Sequence, residues 1–212
     1  MSLPPPAIPT QNNLDLDELH KALGKGLTQW QHVESGLFLL ALPLMGTDLK
    51  TCFLAFLQIK SAENKLAFVD RLIFHKLEQK VRSAFWNPIR KEIREAIDFR
   101  NSLAHFESFY LTDDEFKNIN PPTNYRVAIS HHHLDEHSRK GGIYKLLTVE
   151  IVNQNAEQLR LTNYRIMYFI VDHVPHTELL IKSLPPRLQQ FLDSFRKKTR
   201  LPGFEPPPQS SR

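Results

Sequence analysis

Near the middle of this 212-residue chain, Arg100-Asn101-Ser102-Leu103-Ala104-His105 puts a guanidinium, an amide and an imidazole within six positions. Each group has a distinct chemical competence. Histidine, with an unperturbed pKa of about 6.5, takes and gives a proton near neutrality. Arginine offers a planar fork of donors that matches phosphate oxygens and stays charged. Together they suffice for in-line attack at a phosphodiester, because charge on the phosphate oxygens can be met by preorganised cations alone. The same pattern also arises without chemistry, as a salt-bridged arginine and a histidine favourably placed at the negative end of a helix dipole.

Spacing constrains how these groups meet. Five residues at about 100° each place Arg100 and His105 about 140° apart around an ideal helix and about 7.5 Å along it. Asn101 and His105, four apart, share a stripe; Arg100 and His105 do not. Convergence on one phosphate requires either a helix that loosens near His105 or a second copy of the chain, which a two-fold homodimer supplies. A supporting residue is expected in Glu34, which falls on an apolar stripe between Trp30 and Leu37, where an unpaired carboxylate is costly. Arg100 is its expected partner, with a partly solvated rim position as the alternative.

The elements that must position these residues read as helices. Leu16, Leu19, Leu23, Leu27, Trp30, Val33, Leu37 and Leu40 recur at three- and four-residue steps, which predicts a helix ending near Pro43, with a kink or break at Gly24 and Gly26. Asp48 opens a short apolar helix through Phe56, and Ser61 opens another with Leu66, Val69, Ile73 and Leu77 on one stripe. Lys65, Asp70, Arg71 and Lys76 serve its other side. The helix bearing the motif starts near Ser83 or Asn87, where Asn87-Pro88 fits an N-cap followed by a first-turn proline. Ile89, Ile93 and Ile97 form its seam, while Lys91, Glu92, Arg94, Glu95 and Asp98 decorate its exposed sides. Thr112-Asp113-Asp114 and Pro121-Pro122 end regular structure. Tyr125–Ile129 and Ile143–Leu147 read as a small hairpin around Gly141-Gly142. Thr148 then caps a long helix with Val152, Ala156, Leu159, Asn163, Ile166 and Ile170 on one stripe, and a last helix follows Pro185-Pro186. The expected fold is all-α: one helical-bundle domain over 14–200 with a β-hairpin inserted at about 125–147, between proline-rich tails at 1–13 and 201–212.

With this order of elements, the chain resembles the HEPN superfamily of small helical bundles, whose signature is R-N-x-x-x-H. The resemblance rests on residues 100–105, on the first-helix segment Trp30-Gln31-His32-Val33-Glu34-Ser35-Gly36-Leu37, and on the helix around Ser61 to Leu77. It covers roughly residues 14–110 and Thr148 to Val171. It implies a metal-independent endoribonuclease, without cofactor, in which a ribose 2'-hydroxyl attacks the neighbouring phosphorus. Arg100 would hold the phosphate, His105 would be the acid/base, and Asn101 would position or polarise one of the two. RNA is the implied partner, a homodimer the implied assembly, and toxin–antitoxin, phage-defence or RNA-processing systems the implied settings, with an antitoxin or other regulatory partner. Where some members carry a tyrosine two positions after the histidine, this chain has Glu107, so regulation through that tyrosine does not transfer. The rival reading is a non-catalytic helical module that dimerises or binds a nucleotide or protein.

Composition agrees with a globular protein: 41% of residues are hydrophobic and 24% charged. The richest apolar run, Leu37 to Met45, contains Pro43 and is too short to span a bilayer. The start of the chain lacks a basic stretch followed by an apolar one, and the single cysteine, Cys52, cannot form an internal disulfide. A cytoplasmic protein without membrane association is therefore expected. The formal charge of +4 permits attraction to phosphates, and residues 76–100 and 187–200 concentrate the basic side chains. His131-His132-His133 with Asp135, Glu136 and His137 invites a metal reading, but the segment lacks the spacing and cysteine support of a zinc site, so no metal is expected. Trp30, Trp86 and the stretch Phe53 to Phe56 are expected in the core.

Overall fold

Apolar residues at helical spacing produce the expected first helix, in a longer form. In the computed structural model, which describes residues 11–119, 122–131, 147–175, 177, 181–182 and 184–199, α1 spans Gln11–Met45 without a break at Gly24 or Gly26. Pro43 lies inside α1, which ends two residues later at Met45, near the expected position. Proline removes one backbone donor and crowds the carbonyl four residues back. Burial of Leu39, Leu40, Ala41, Leu42 and Leu44 around it outweighs that local cost. The helix closes at Gly46, whose φ of 64° suits a residue without Cβ and whose N–H donates to the Leu42 carbonyl at 3.3 Å.

Polar side chains start the next two helices. Asp48 caps α2 (Leu49–Gln58) by accepting the Thr51 N–H at 3.0 Å, and Ser61 caps α3 (Ala62–Lys76) by accepting the Asn64 N–H at 3.1 Å. Leu66, Val69 and Ile73 of α3 are buried, as their spacing predicts. In α2 only Cys52 and Phe56 are buried. Phe53 and Leu54 are 48% and 52% exposed, which corrects the expectation that residues 53–56 are all core. Consecutive apolar residues encircle a helix, and only one side of α2 meets the interior.

The entry into the motif helix also departs from the sequence reading. Asn87 is not a cap: it is helical, with φ −56° and ψ −40°, and its N–H donates to the Arg82 carbonyl five residues back. A short α4 (Gln79–Val81) and a π turn (Arg82–Trp86) lead directly into α5 (Asn87–His105). Pro88 accounts for the wide turn, because it has no N–H to give Ala84 and its ring would crowd that carbonyl in a regular α-helix.

Beyond α5 the expected hairpin is part of a three-stranded antiparallel sheet in the order β1 (Phe106–Tyr110), β2 (Val127–His131), β3 (Leu147–Thr148). The strand β1 was not expected. Residues 143–146 of the expected return strand lie outside the described residues. Thr112, expected to end regular structure, instead caps α6 (Asp113–Asn118) through a reciprocal capping box with Glu115. Thr148 accepts the Ile151 N–H at 3.4 Å and so opens α7 (Val149–His173), as its type predicts. The final helix, α8, covers Pro186–Thr199.

The chain packs as two compact units. The first combines the chain up to Thr28 with Phe99–Ala156 and holds the sheet. Buried Asp15 accepts the Arg126 N–H at 2.9 Å. Glu150 accepts the Thr123 hydroxyl at 2.7 Å and the Asn124 N–H at 2.8 Å. Burial pushes the Glu150 carboxyl up, yet those donors together hold it below the usual carboxylate range. The second unit combines Gln29–Asp98 with the chain from Glu157 onward. Its core includes Trp30, Val33, Leu37, Ile73, Trp86, Ile93, Ile166 and Phe169. Glu92, expected on the exposed side of α5, is buried there, paired with Arg165 and accepting the Thr162 hydroxyl at 3.2 Å. Among the described residues, no helix is long and apolar enough to cross a membrane.

Candidate functional site

The motif sits on the last turns of α5. Its approach to α1 within the first unit depends on a missing side chain: a Cβ on Gly26 would lie 3.0 Å from Leu103 Cδ1 and 3.6 Å from Phe99 Cε1. Phe99 is buried and Leu103 half-buried, so they anchor the turn from which Arg100 and Asn101 project. The half-buried Arg100 donates from Nη1 to Asn101 Oδ1 at 3.2 Å. This bond spans one residue step. It restrains the arginine fork and orients the amide with its oxygen toward the cation. Arg100 and Asn101 are thus in hydrogen-bond contact as sequence neighbours.

The backbone remains α-helical through His105. The helix holds from Arg100 up to His105, its last residue. The side chains of His105 and Glu107 lie outside the described residues. Immediately after His105 the chain enters β1, whose first residue, Phe106, is the register partner of His131. The histidine-rich run therefore starts opposite the strand that follows the motif, and its remaining positions, 132–137, lie outside the described residues. Among the described residues, no group of three His, Cys, Asp or Glu side chains is placed to hold a metal ion.

Glu34, the expected supporting residue, takes a different cation. Its carboxylate pairs with Lys65 of α3 in the second unit, which corrects the assignment of Arg100 as its partner. The requirement for a counter-charge on the apolar side of α1 was sound. Its source was not legible, because Lys65 precedes Leu66 in sequence and reads as a solvated helix residue, whereas its side chain is only 14% exposed and its ammonium lies 5.2 Å from the Phe56 ring centroid.

Sequence reasoning also missed a groove in the second unit, because its residues come from separate helices and form no motif. Asp70, expected on the solvated side of α3, accepts the Trp86 indole N–H at 2.8 Å and faces Arg90 at 3.5 Å.

No protein-family model, curated protein or solved structure matches this chain. Its functional reading rests on its own residues.

Proposed function

We propose that this protein is a metal-independent endoribonuclease of the HEPN type, with Arg100 and His105 completing a site shared between two copies of the chain. The observation that carries the proposal is the persistence of α-helix through residues 100–105, together with the Arg100–Asn101 hydrogen bond at 3.2 Å. A regular helix keeps Arg100 and His105 off a common stripe, which favours Arg100 of one chain working with His105 of its partner across a two-fold axis.

The chemistry is a transesterification. The ribose 2'-oxygen forms a bond to phosphorus as its proton passes to an imidazole, and the P–O5' bond breaks as the departing oxygen takes up a proton. Arg100 meets the charge on the non-bridging oxygens, and Asn101 keeps its fork in place. The products are a 2',3'-cyclic phosphate and a 5'-hydroxyl. In this reading the chain works in the cytoplasm, in a toxin, phage-defence or RNA-processing system, restrained by an antitoxin or another regulatory partner.

Purified protein incubated with single-stranded RNA and a chelator is expected to release fragments ending in cyclic phosphate. Arg100→Ala and His105→Ala are expected to slow this roughly a hundredfold to ten-thousandfold, with circular dichroism unchanged, and to relieve toxicity on expression. RNA left intact at micromolar protein would sink the nuclease and favour a non-catalytic helical module. Mixing the two inactive variants tests the sharing. In a random mixture half the dimers carry one intact site out of two, so about a quarter of the activity returns. A site complete within one chain leaves the mixture inactive.

A further inference from the structure

The groove in the second unit has the composition of a ligand site. It encloses about 440 Å³ between α3 and the helical run from α4 into α5, and Asp70, Ile73, Phe74, Arg82, Trp86 and Arg90 form most of its wall. That volume falls within the usual range for small-molecule sites. Ile73 and Trp86 are buried and make an apolar floor. Exposed Gln79, Ser83 and Asn87 supply hydrogen-bonding groups at the rim.

The charges are arranged for an anion. Arg82 places its guanidinium carbon 4.3 Å from the Phe74 ring centroid, which restrains the fork, and it forms no salt bridge among the described residues. Farther along the same helical run, Arg90 is held only loosely by Asp70, at 3.5 Å, while the same carboxylate is committed to the Trp86 indole. Two guanidinium groups against one carboxylate leave a net positive site. The π turn contributes here: Arg82 opens it and Trp86 closes it, and Arg90 follows one α-turn later. Phe74 is 64% exposed, a high value for an aromatic ring, and it offers an open apolar surface beside the cations.

We propose that this groove binds the phosphate group of a small ester, with Arg82 and Arg90 gripping the oxygens and a flat apolar part of the ligand lying on Phe74. The groove's lining includes neither Arg100 nor His105, and its test does not depend on RNA cleavage. Full-length protein is titrated calorimetrically with inorganic phosphate, with phenyl phosphate and with a short 5'-phosphorylated oligoribonucleotide. Phenyl phosphate is expected to bind more tightly than inorganic phosphate, and Phe74→Ala is expected to remove that advantage. Arg82→Gln and Arg90→Gln are each expected to weaken binding roughly tenfold or more, as loss of a charge-assisted hydrogen bond does, with the circular dichroism spectrum unchanged. Binding of the oligoribonucleotide alone, sensitive to both arginine variants, would assign the phosphate to an RNA end and overturn the small ester. Binding of none of the three probes, or binding indifferent to both arginine variants, would overturn the site altogether.

Discussion

At the scale of single residues, Glu34 shows how a correct physical demand can be met by an unforeseen partner. A carboxylate beside Trp30 and Leu37 needs a cation, and Lys65 supplies it. Glu34→Gln is therefore expected to leave RNA cleavage within about twofold of the parent, since no interaction made only in the transition state is lost. It should lower stability by about 1 kcal/mol, the scale of a partly solvated pair, measured by urea unfolding. A loss of cleavage as deep as that of Arg100→Ala would return Glu34 to the site. Cys52 is a second residue-scale case. Burial pushes its thiol up to about 11, so at pH 8 it should resist a thiol-reactive dye in the folded protein and react on unfolding. Rapid labelling of native protein would contradict the buried placement.

Among the elements, α5 and α7 are joined in the second unit through Glu92 and Arg165, both buried. Burial pushes the Glu92 carboxyl up, against the pull of Arg165 and Thr162. Arg165→Leu strands this carboxylate and is expected to cost about 3–5 kcal/mol. The double substitution Glu92→Leu with Arg165→Leu should cost distinctly less, because no orphaned charge remains. Equal losses would mean that the pair acts only through its packing. The contact of α1 with α7 is tested at Gly36, where a Cβ would lie 3.0 Å from Asn163 Oδ1 and 3.1 Å from Ile166 Cγ2. Gly36→Val is expected to destabilise by about 1–3 kcal/mol through overpacking, and a neutral effect would show that the two helices separate freely.

For the whole molecule, His173 and Glu150 lower stability on acidification, while Glu92, raised by burial, acts in the opposite sense. His173 stacks on Phe85 at 3.9 Å between ring centroids, and burial holds its imidazole below its ordinary value of 6.5 despite nearby Asp172. The unfolded chain takes up that proton more readily than the folded one, so this contribution is complete above about pH 6.5 and is lost as the pH falls. Glu150, held below the carboxylate range, adds a loss of the same sign at lower pH. The urea midpoint is expected to drop between pH 7 and 5, and His173→Phe, which keeps an aromatic ring against Phe85, should flatten that slope. An unchanged slope in the variant would move the effect to other groups.

The amino-acid order alone determined the helical character, the caps Asp48, Ser61 and Thr148, and the buried stripes of α3, α5 and α7, whereas in α1 Leu27 of the expected stripe is 41% exposed. Each depends on residues within one or two turns of each other, where propensity, capping and periodicity act locally. It also marked Arg100 and Asn101, whose hydrogen bond joins sequence neighbours. Only the tertiary structure decided that Pro43 stays within α1, that Pro88 sits behind a π turn, and that β1 follows α5 without a loop. The same holds for Lys65 facing Glu34, Arg165 facing Glu92 and Asp70 bridging Trp86 and Arg90. These outcomes join residues far apart in the chain or weigh a local backbone cost against burial, and no sequence window contains both sides of that balance.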